Sequence, residues 1–424
     1  MTATTAELLS PQVRAVQRRS VAVLSTGSVL AGVAVAGTVA AGSLLAESVS
    51  GSEAAAGLAQ TSGVLGAAVL ALPLARIALA RGRRQALATG YGLGALGAVV
   101  VVVGAVLRSL PAVLVGAFLV GVASASTYQA RYAATDLAAE EHRAVSLSWV
   151  VWAGTIGAVL GPNLLSVSGH LGSALGLPEL AGPYVVAGAC LAATSIVLLV
   201  LLRPDPYRLS LRLRADSGES VRQPRLRDGL SHLRSRPRAV LGIAAIAVGH
   251  VVMVMVMVMT PVHMAHVDVT LQVIGFVISV HVAGMYALSP VVGWAVDRLG
   301  RLQVIGAGIA ILAVACAVAG LAAGSNVPAL AVGLFLLGLG WSCTLIAGST
   351  VVTDEVDTTE RPAVQGLSDL VMNAAGAVGG AAAGIIVLVG SYGWLCAAAL
   401  IPLGVLVAML ATPACRAHSN MRSM

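Results

Sequence analysis

The chain has 424 residues, of which 58% are hydrophobic and only 10% charged, with a mean hydropathy of +0.92 and a formal net charge of +7. This composition excludes a water-soluble globular protein, because most of the surface must face lipid. All 25 basic residues are arginine, and they flank apolar stretches, which accounts for them as orientation signals and contacts to anionic lipid rather than as a nucleic-acid surface.

A helix needs ~20 apolar residues to cross ~30 Å of hydrocarbon. Stretches free of Arg, Asp and Glu recur in the first half at 21–46, 54–75, 85–107, 109–130, 144–169 and 180–202. The second half repeats the rhythm at 239–262, 269–296, 302–323, 329–350, 363–389 and 393–412. The first stretch is longer than the ~7–15 apolar residues of a signal peptide and reads as a span. The expected fold is therefore an all-α polytopic membrane protein of twelve transmembrane helices. It divides into a first bundle (1–202), a basic linker (203–238) with ten Arg and four Pro, and a second bundle (239–424).

Threading the chain through twelve crossings puts every arginine but Arg108 on one side, which the charge rule makes the cytoplasm. Both termini then lie in the cytoplasm and the chain is multi-pass in the inner (plasma) membrane. Cys190, Cys316, Cys343 and Cys396 fall inside spans with no Cys-x-x-Cys spacing, so no disulfide framework is expected.

An offset of 218 positions lays Thr135-Asp136 on Thr353-Asp354, Arg143 on Arg361, and Gly82-Arg83 on Gly300-Arg301. Three loops agreeing at one offset argue for duplication, with two pseudo-symmetric six-helix bundles packed around a central site. The loop after the eighth span carries Gly293, Asp297, Arg298, Gly300 and Arg301. Its glycines permit a tight turn, and Asp297 suits the partial positive charge of a helix N-terminus. This loop resembles the signature of the major facilitator superfamily, where the contact latches one conformational state. In the first half Gly82, Arg83 and Arg84 survive, but Leu79 replaces the acid and Ala75 the glycine, so unequal latches are expected. The alternative, that these arginines merely set topology, stays open.

In the fifth span, Gly154, Gly157, Gly161 and Pro162 resemble the superfamily's glycine-proline motif, most often an antiporter feature. Close helix packing alone would require the same residues. Asp369 lies in an otherwise uncharged span with Gln365, Ser368 and Asn373. An intramembrane carboxylate is a functional candidate: it either titrates in proton coupling or pairs with an arginine such as Arg83 or Arg131.

Residues 250–285 hold six of the 11 methionines and four of the eight histidines. His250, Met253 and Met257 share one face of the seventh helix, as His281 and Met285 share one of the eighth. Counting ~1.5 Å per residue puts Met253 and His281 at similar depths of ~21 and ~24 Å. Thioether and imidazole suit copper better than hard cations. Met253-x-x-x-Met257 followed by His281-x-x-x-Met285 resembles the bacterial copper-importing branch of the superfamily that supplies cytochrome oxidase assembly, which implies these four residues as copper ligands. His263, Met264, His266 and Asp268 would collect metal at the outer mouth. The plainer reading makes the methionines flexible apolar filler.

Nothing supplies a nucleophile–base pair, a phosphate loop or a nucleotide motif, so the chain is expected not to be an enzyme and to carry no resident cofactor. Two expectations result for a monomeric alternating-access transporter energised by a gradient: copper uptake, or proton-coupled antiport that exports a small hydrophobic organic compound.

Overall fold

In the computed structural model, residues 10–51, 53–216, 233, 236–265, 271–322 and 326–412 are described. Every regular element among them is helical. Twelve spans among the described residues are long and apolar enough to cross a membrane. In lipid this follows from hydrogen bonding, since a helix satisfies its own backbone where no water can.

The first half folds as α1 (Pro11–Ser50), α2 (Glu53–Arg81), α3 (Arg83–Val106), α4 (Leu110–Ala133), α5 (Arg143–Asn163), α6 (Leu165–Ala174) and α7 (Gly182–Leu201). The linker contributes α8 (Pro206–Asp216), a helix that the charge-rich sequence did not announce. The second half follows with α9 (Pro237–Ala265), α10 (Leu271–Tyr286), α11 (Ser289–Leu299), α12 (Arg301–Leu321), α13 (Val327–Glu355), α14 (Arg361–Val389), α15 (Tyr392–Ala398) and α16 (Leu400–Ala411).

Three spans expected as single helices are broken. The fifth divides at Leu164, two residues past Pro162, and the eighth at Ala287–Leu288, just before Pro290 in the first turn of α11. The twelfth divides at Ala399, ahead of Pro402. Proline has no N–H to donate and crowds the preceding turn, so helices restart there.

The chain forms two compact units whose borders differ from the expected ones. Unit 1 comprises Met1–Ala139, Trp149–Asp228 and Thr358–Leu370; unit 2 comprises Glu140–Ser148, Gly229–Asp357 and Val371–Met424. The first turns of α5 thus belong with the second half, and the first turns of α14 with the first. The side-chain bonds described below are the reason.

Within unit 1, α4 packs on α3 and α2, and α7 packs on α1 and α3, around Leu24, Leu87, Tyr91 and Leu191. Within unit 2, α13 receives α9, α10 and α12. It is buried without interruption from Gly340 to Thr353, which explains why its sequence is apolar or small on every side rather than amphipathic.

The glycine run of α5 is used for close approach. A Cβ on Gly157 would lie 2.6 Å from the Cα of Gly32 in α1, and one on Gly161 2.6 Å from the backbone N of Gly37. The side chain of Pro162 lies outside the described part. We expect Gly157→Leu to drive α1 and α5 apart and lower stability by about 1–3 kcal/mol, the usual cost of overpacking. Thermal unfolding of the purified protein in detergent measures this; an unchanged midpoint would contradict the packing.

Candidate functional site

Charged residues concentrate where the arginine-rich loops meet the helices. In unit 2, Asp297 at the end of α11 accepts from the backbone N–H groups of Ala144 (3.2 Å) and Val145 (2.9 Å) in the first turn of α5. Those N–H groups have no partner within their own helix, and they carry its positive end. Asp354 of α13 is bound from two sides, by Arg301 Nε at 3.0 Å and by Arg143 Nη1. Arg301 also donates to the carbonyl of Glu140 (2.8 Å). Gly300, at φ +110, supplies the left-handed turn that returns the chain into α12. Arg298 is exposed and takes no part.

Unit 1 repeats this arrangement at the offset of 218. Arg83 Nε donates to Asp136 at 2.8 Å and its Nη2 at 3.3 Å, matching Arg301 and Asp354. Gly82, at φ +94, matches Gly300. Arg361 acts electrostatically on Asp136, as Arg143 does on Asp354. Burial pushes the Asp136 carboxyl above the ordinary carboxylate range, and the Arg83 guanidinium beside it pulls it back down. Arg83 further donates to Gln365 of α14.

Two departures that made the first-half loop look degraded have structural reasons. In unit 2 the bare face of Gly293 admits the Ser148 side chain, whereas in unit 1 a Cβ on Gly366 would lie 2.6 Å from the Cβ of Ala75. These positions correspond at the offset, so the smaller partner has moved to the facing helix. Leu79 stands where Asp297 stands, and packs with Ala363, the counterpart of Val145. An acid at 79 would find little to bind. Pro362 has no N–H, and the N–H of Ala363 already donates to the carbonyl of Glu360 at 3.0 Å.

A second ion pair in unit 1 has no such twin. Arg131 Nη2 of α4 donates to Asp369 Oδ1 of α14 at 2.7 Å, with both side chains buried (2% and 0% exposed). Of the two arginines considered for Asp369, Arg131 is the partner. The guanidinium lies 4.7 Å from the ring centre of Tyr132 and 5.4 Å from that of Tyr128, and Tyr132 donates its hydroxyl to Ser368 Oγ at 3.3 Å. The corresponding residues of the other half are Ser349 and Val151.

Two histidines of unit 2 bond to α13. His281 is fully buried; its Nδ1–H donates to the carbonyl of Leu334 in α13 at 2.8 Å, while its Nε2 has no hydrogen-bond partner among the described residues. A carbonyl only accepts, so the proton of the neutral ring is on Nδ1. His250 takes the other tautomer, because its Nδ1 accepts from Trp341 Nε1–H at 3.1 Å. Both rings are thus engaged by α13, at residues about two turns and ~10 Å apart. Met253 and Met285 are buried, Met257 half-buried. No group of three His, Cys, Asp or Glu able to hold a metal ion occurs among the described residues. His263 stacks on Tyr392 with ring centres 4.4 Å apart; His266 and Asp268 lie outside the described residues.

The family model "Major Facilitator Superfamily" matches residues 23–271 and 252–420. The chain belongs to that superfamily. The MFS-type transporter YdeG of Bacillus subtilis (strain 168) is 35% identical over 379 residues, covering 89% of this chain and 88% of that protein. The riboflavin transporter RfnT of Brucella anthropi is 27% identical, covering 73% and 74%. Among solved structures, the human organic anion transporter MFSD10 superposes with a TM-score of 0.70 at 16% identity, over 93% of this chain and 99% of that one, which supports the fold.

As a superfamily member the protein builds its charged ends from residues that the motif only partly names. Asp136 and Asp354 were visible as repeated positions and Gln365 as a polar neighbour of Asp369, but their pairing with Arg83 and Arg301 was not; Trp341 and Tyr207 gave no signal. Asp136→Ala strands Arg83, only 1% exposed, and we expect it to cost about 3–5 kcal/mol, as loss of one member of a buried pair does. Asp297→Ala removes a helix cap and should cost about 1 kcal/mol. Thermal melts of the two variants side by side would expose the opposite order, which contradicts the assignment.

Proposed function

We propose that this superfamily member is a secondary active transporter that moves a small organic solute by alternating access and draws energy from the proton gradient through Asp369. The observation that carries the reading is the buried Arg131–Asp369 pair, set among Tyr128, Tyr132 and Ser368 and missing from the other half of the duplication. Symmetric charges serve the fold of both halves; an unmatched intramembrane pair is a functional candidate.

The proposed chemistry is simple. A proton on Asp369 removes the charge that compensates Arg131, which favours a state in which the guanidinium meets an electron-rich group of the solute or water. Loss of that proton restores the pair. A gradient is the energy source in this reading because the sequence holds no nucleotide-binding motif. The similarity to a riboflavin transporter favours an organic solute. The glycine-proline run does not argue for export, since close packing of α5 on α1 accounts for its glycines. The arginine-rich ends face the cytoplasm by the charge rule.

Copper uptake remains the second reading, on the single observation that His281 keeps a buried Nε2 without a hydrogen-bond partner among the described residues in a methionine-rich helix pair. It places copper as cargo on His281, with Met253, Met257 and Met285 as further ligands.

In proteoliposomes containing the full chain, we expect inward-acid gradients to drive accumulation of a radiolabelled solute, with riboflavin as the first probe and organic acids found by thermal stabilisation next. Asp369→Asn should abolish gradient-driven accumulation yet retain solute exchange at equal concentrations. Unaltered accumulation in Asp369→Asn would sink the proposal. For copper, cellular accumulation that falls to background in His281→Ala and is normal in Asp369→Asn would select the second reading instead.

A further inference from the structure

The missing acid at position 79 raises the question of what holds the start of α14 in unit 1. The linker lies there. Asp205 accepts from the N–H of Arg84 with Oδ2 at 2.7 Å and from the N–H of Arg208 with Oδ1 at 3.0 Å, so a single carboxylate caps two helices, α3 and α8. The N-cap residue of α3, Gly82, has no side chain to do this. The position also has to be glycine: a Cβ there would lie 2.5 Å from Asp205 Oδ2, besides the strain of its positive φ. Three residues further on, Arg208 donates to the carbonyl of Ala80 at 2.5 Å, at the end of α2.

So anchored, α8 presents Tyr207. Its ring is fully buried with Leu79 and Ala363, with Leu211 alongside, and lies 5.8 Å from the Arg83 guanidinium. Its hydroxyl donates to the carbonyl of Thr359 at 3.0 Å, two residues ahead of α14. In unit 2 the start of α5 is held by Asp297 at the end of α11. In unit 1 the corresponding start of α14 is held by a tyrosine from the linker, over the leucine that replaced the acid.

We propose that α8 is a strap in which Asp205 is the anchor and Tyr207 the latch, and that together they position the beginning of α14 in unit 1. Tyr207 does through a hydroxyl and an apolar ring what Asp297 does through a carboxylate. The linker is then part of the gate, and release of Tyr207 is a step in freeing α14. The inference does not depend on which solute is carried or on the role of Asp369.

Hydrogen–deuterium exchange read by mass spectrometry, on the full chain in lipid nanodiscs, tests it without any solute. Tyr207→Phe deletes one oxygen and keeps the ring packed. Exchange in residues 359–366 should rise about fivefold, the factor that one lost buried hydrogen bond sets on a local opening equilibrium. Residues 143–148 of unit 2 should be unchanged. Asp205→Ala should raise exchange in residues 83–87 as well as 359–366. No rise at 359–366 in either variant would overturn the strap. So would a rise spread equally over both units, which would mean general loosening. Failure of Asp369→Asn to affect transport would leave these exchange results untouched, so the two proposals fall separately.

Discussion

A charge inside hydrocarbon must bring its own partner, and the interior of this protein is arranged around that requirement. Arg83, Arg131, Asp136 and Asp369 are essentially without solvent, and each is tied to a group of opposite sign from another part of the chain. The borders of the two compact units follow the same pairs. The first turns of α14 join unit 1 because Arg83 and Arg131 reach Gln365 and Asp369 there. The first turns of α5 join unit 2 because Asp297, Arg301 and Asp354 reach them. Apolar burial by itself does little to choose partners for helices already surrounded by lipid; small residues and polar contacts do.

Helix number, span positions and the internal repeat were legible because each is written in a strong local signal, apolar length or a matched loop. Helix breaks were less so. The stretches at 144–169, 269–296 and 393–412 are continuous in hydropathy, and only Pro162, Pro290 and Pro402 hinted at interruption. Helix α8 escaped notice because ten arginines across the linker hid an eleven-residue segment whose Tyr207 and Ser210 are buried.

The candidate site was legible in its residues and much less in its pairings. Asp369 stood out as a charge within a span, yet its choice of Arg131 over Arg83 depends on helix rotation, which no spacing rule fixes. Leu79 and Ala75 looked like losses from a motif. Their facing residues, Ala363 and Gly366, lie nearly 300 positions along the chain, and only the fold shows that the changes answer one another. The histidines show the same limit: the sequence placed them by depth and helix face, but the bonds that α13 makes to each ring through Leu334 and Trp341 carried no sequence signal.

Because one carboxylate on the linker finishes a helix of the first half, the boundary at residue 202 that apolar length suggests is not where that half ends as a piece of chemistry. A fragment cut there would expose the amino end of α3, leave the carbonyl of Ala80 without its guanidinium and uncover Leu79. Dissection into separately produced halves, or exchange of halves between related chains, therefore has its natural seam beyond Asp216. The connecting segment should be inherited with the first half rather than treated as a tether of arbitrary length.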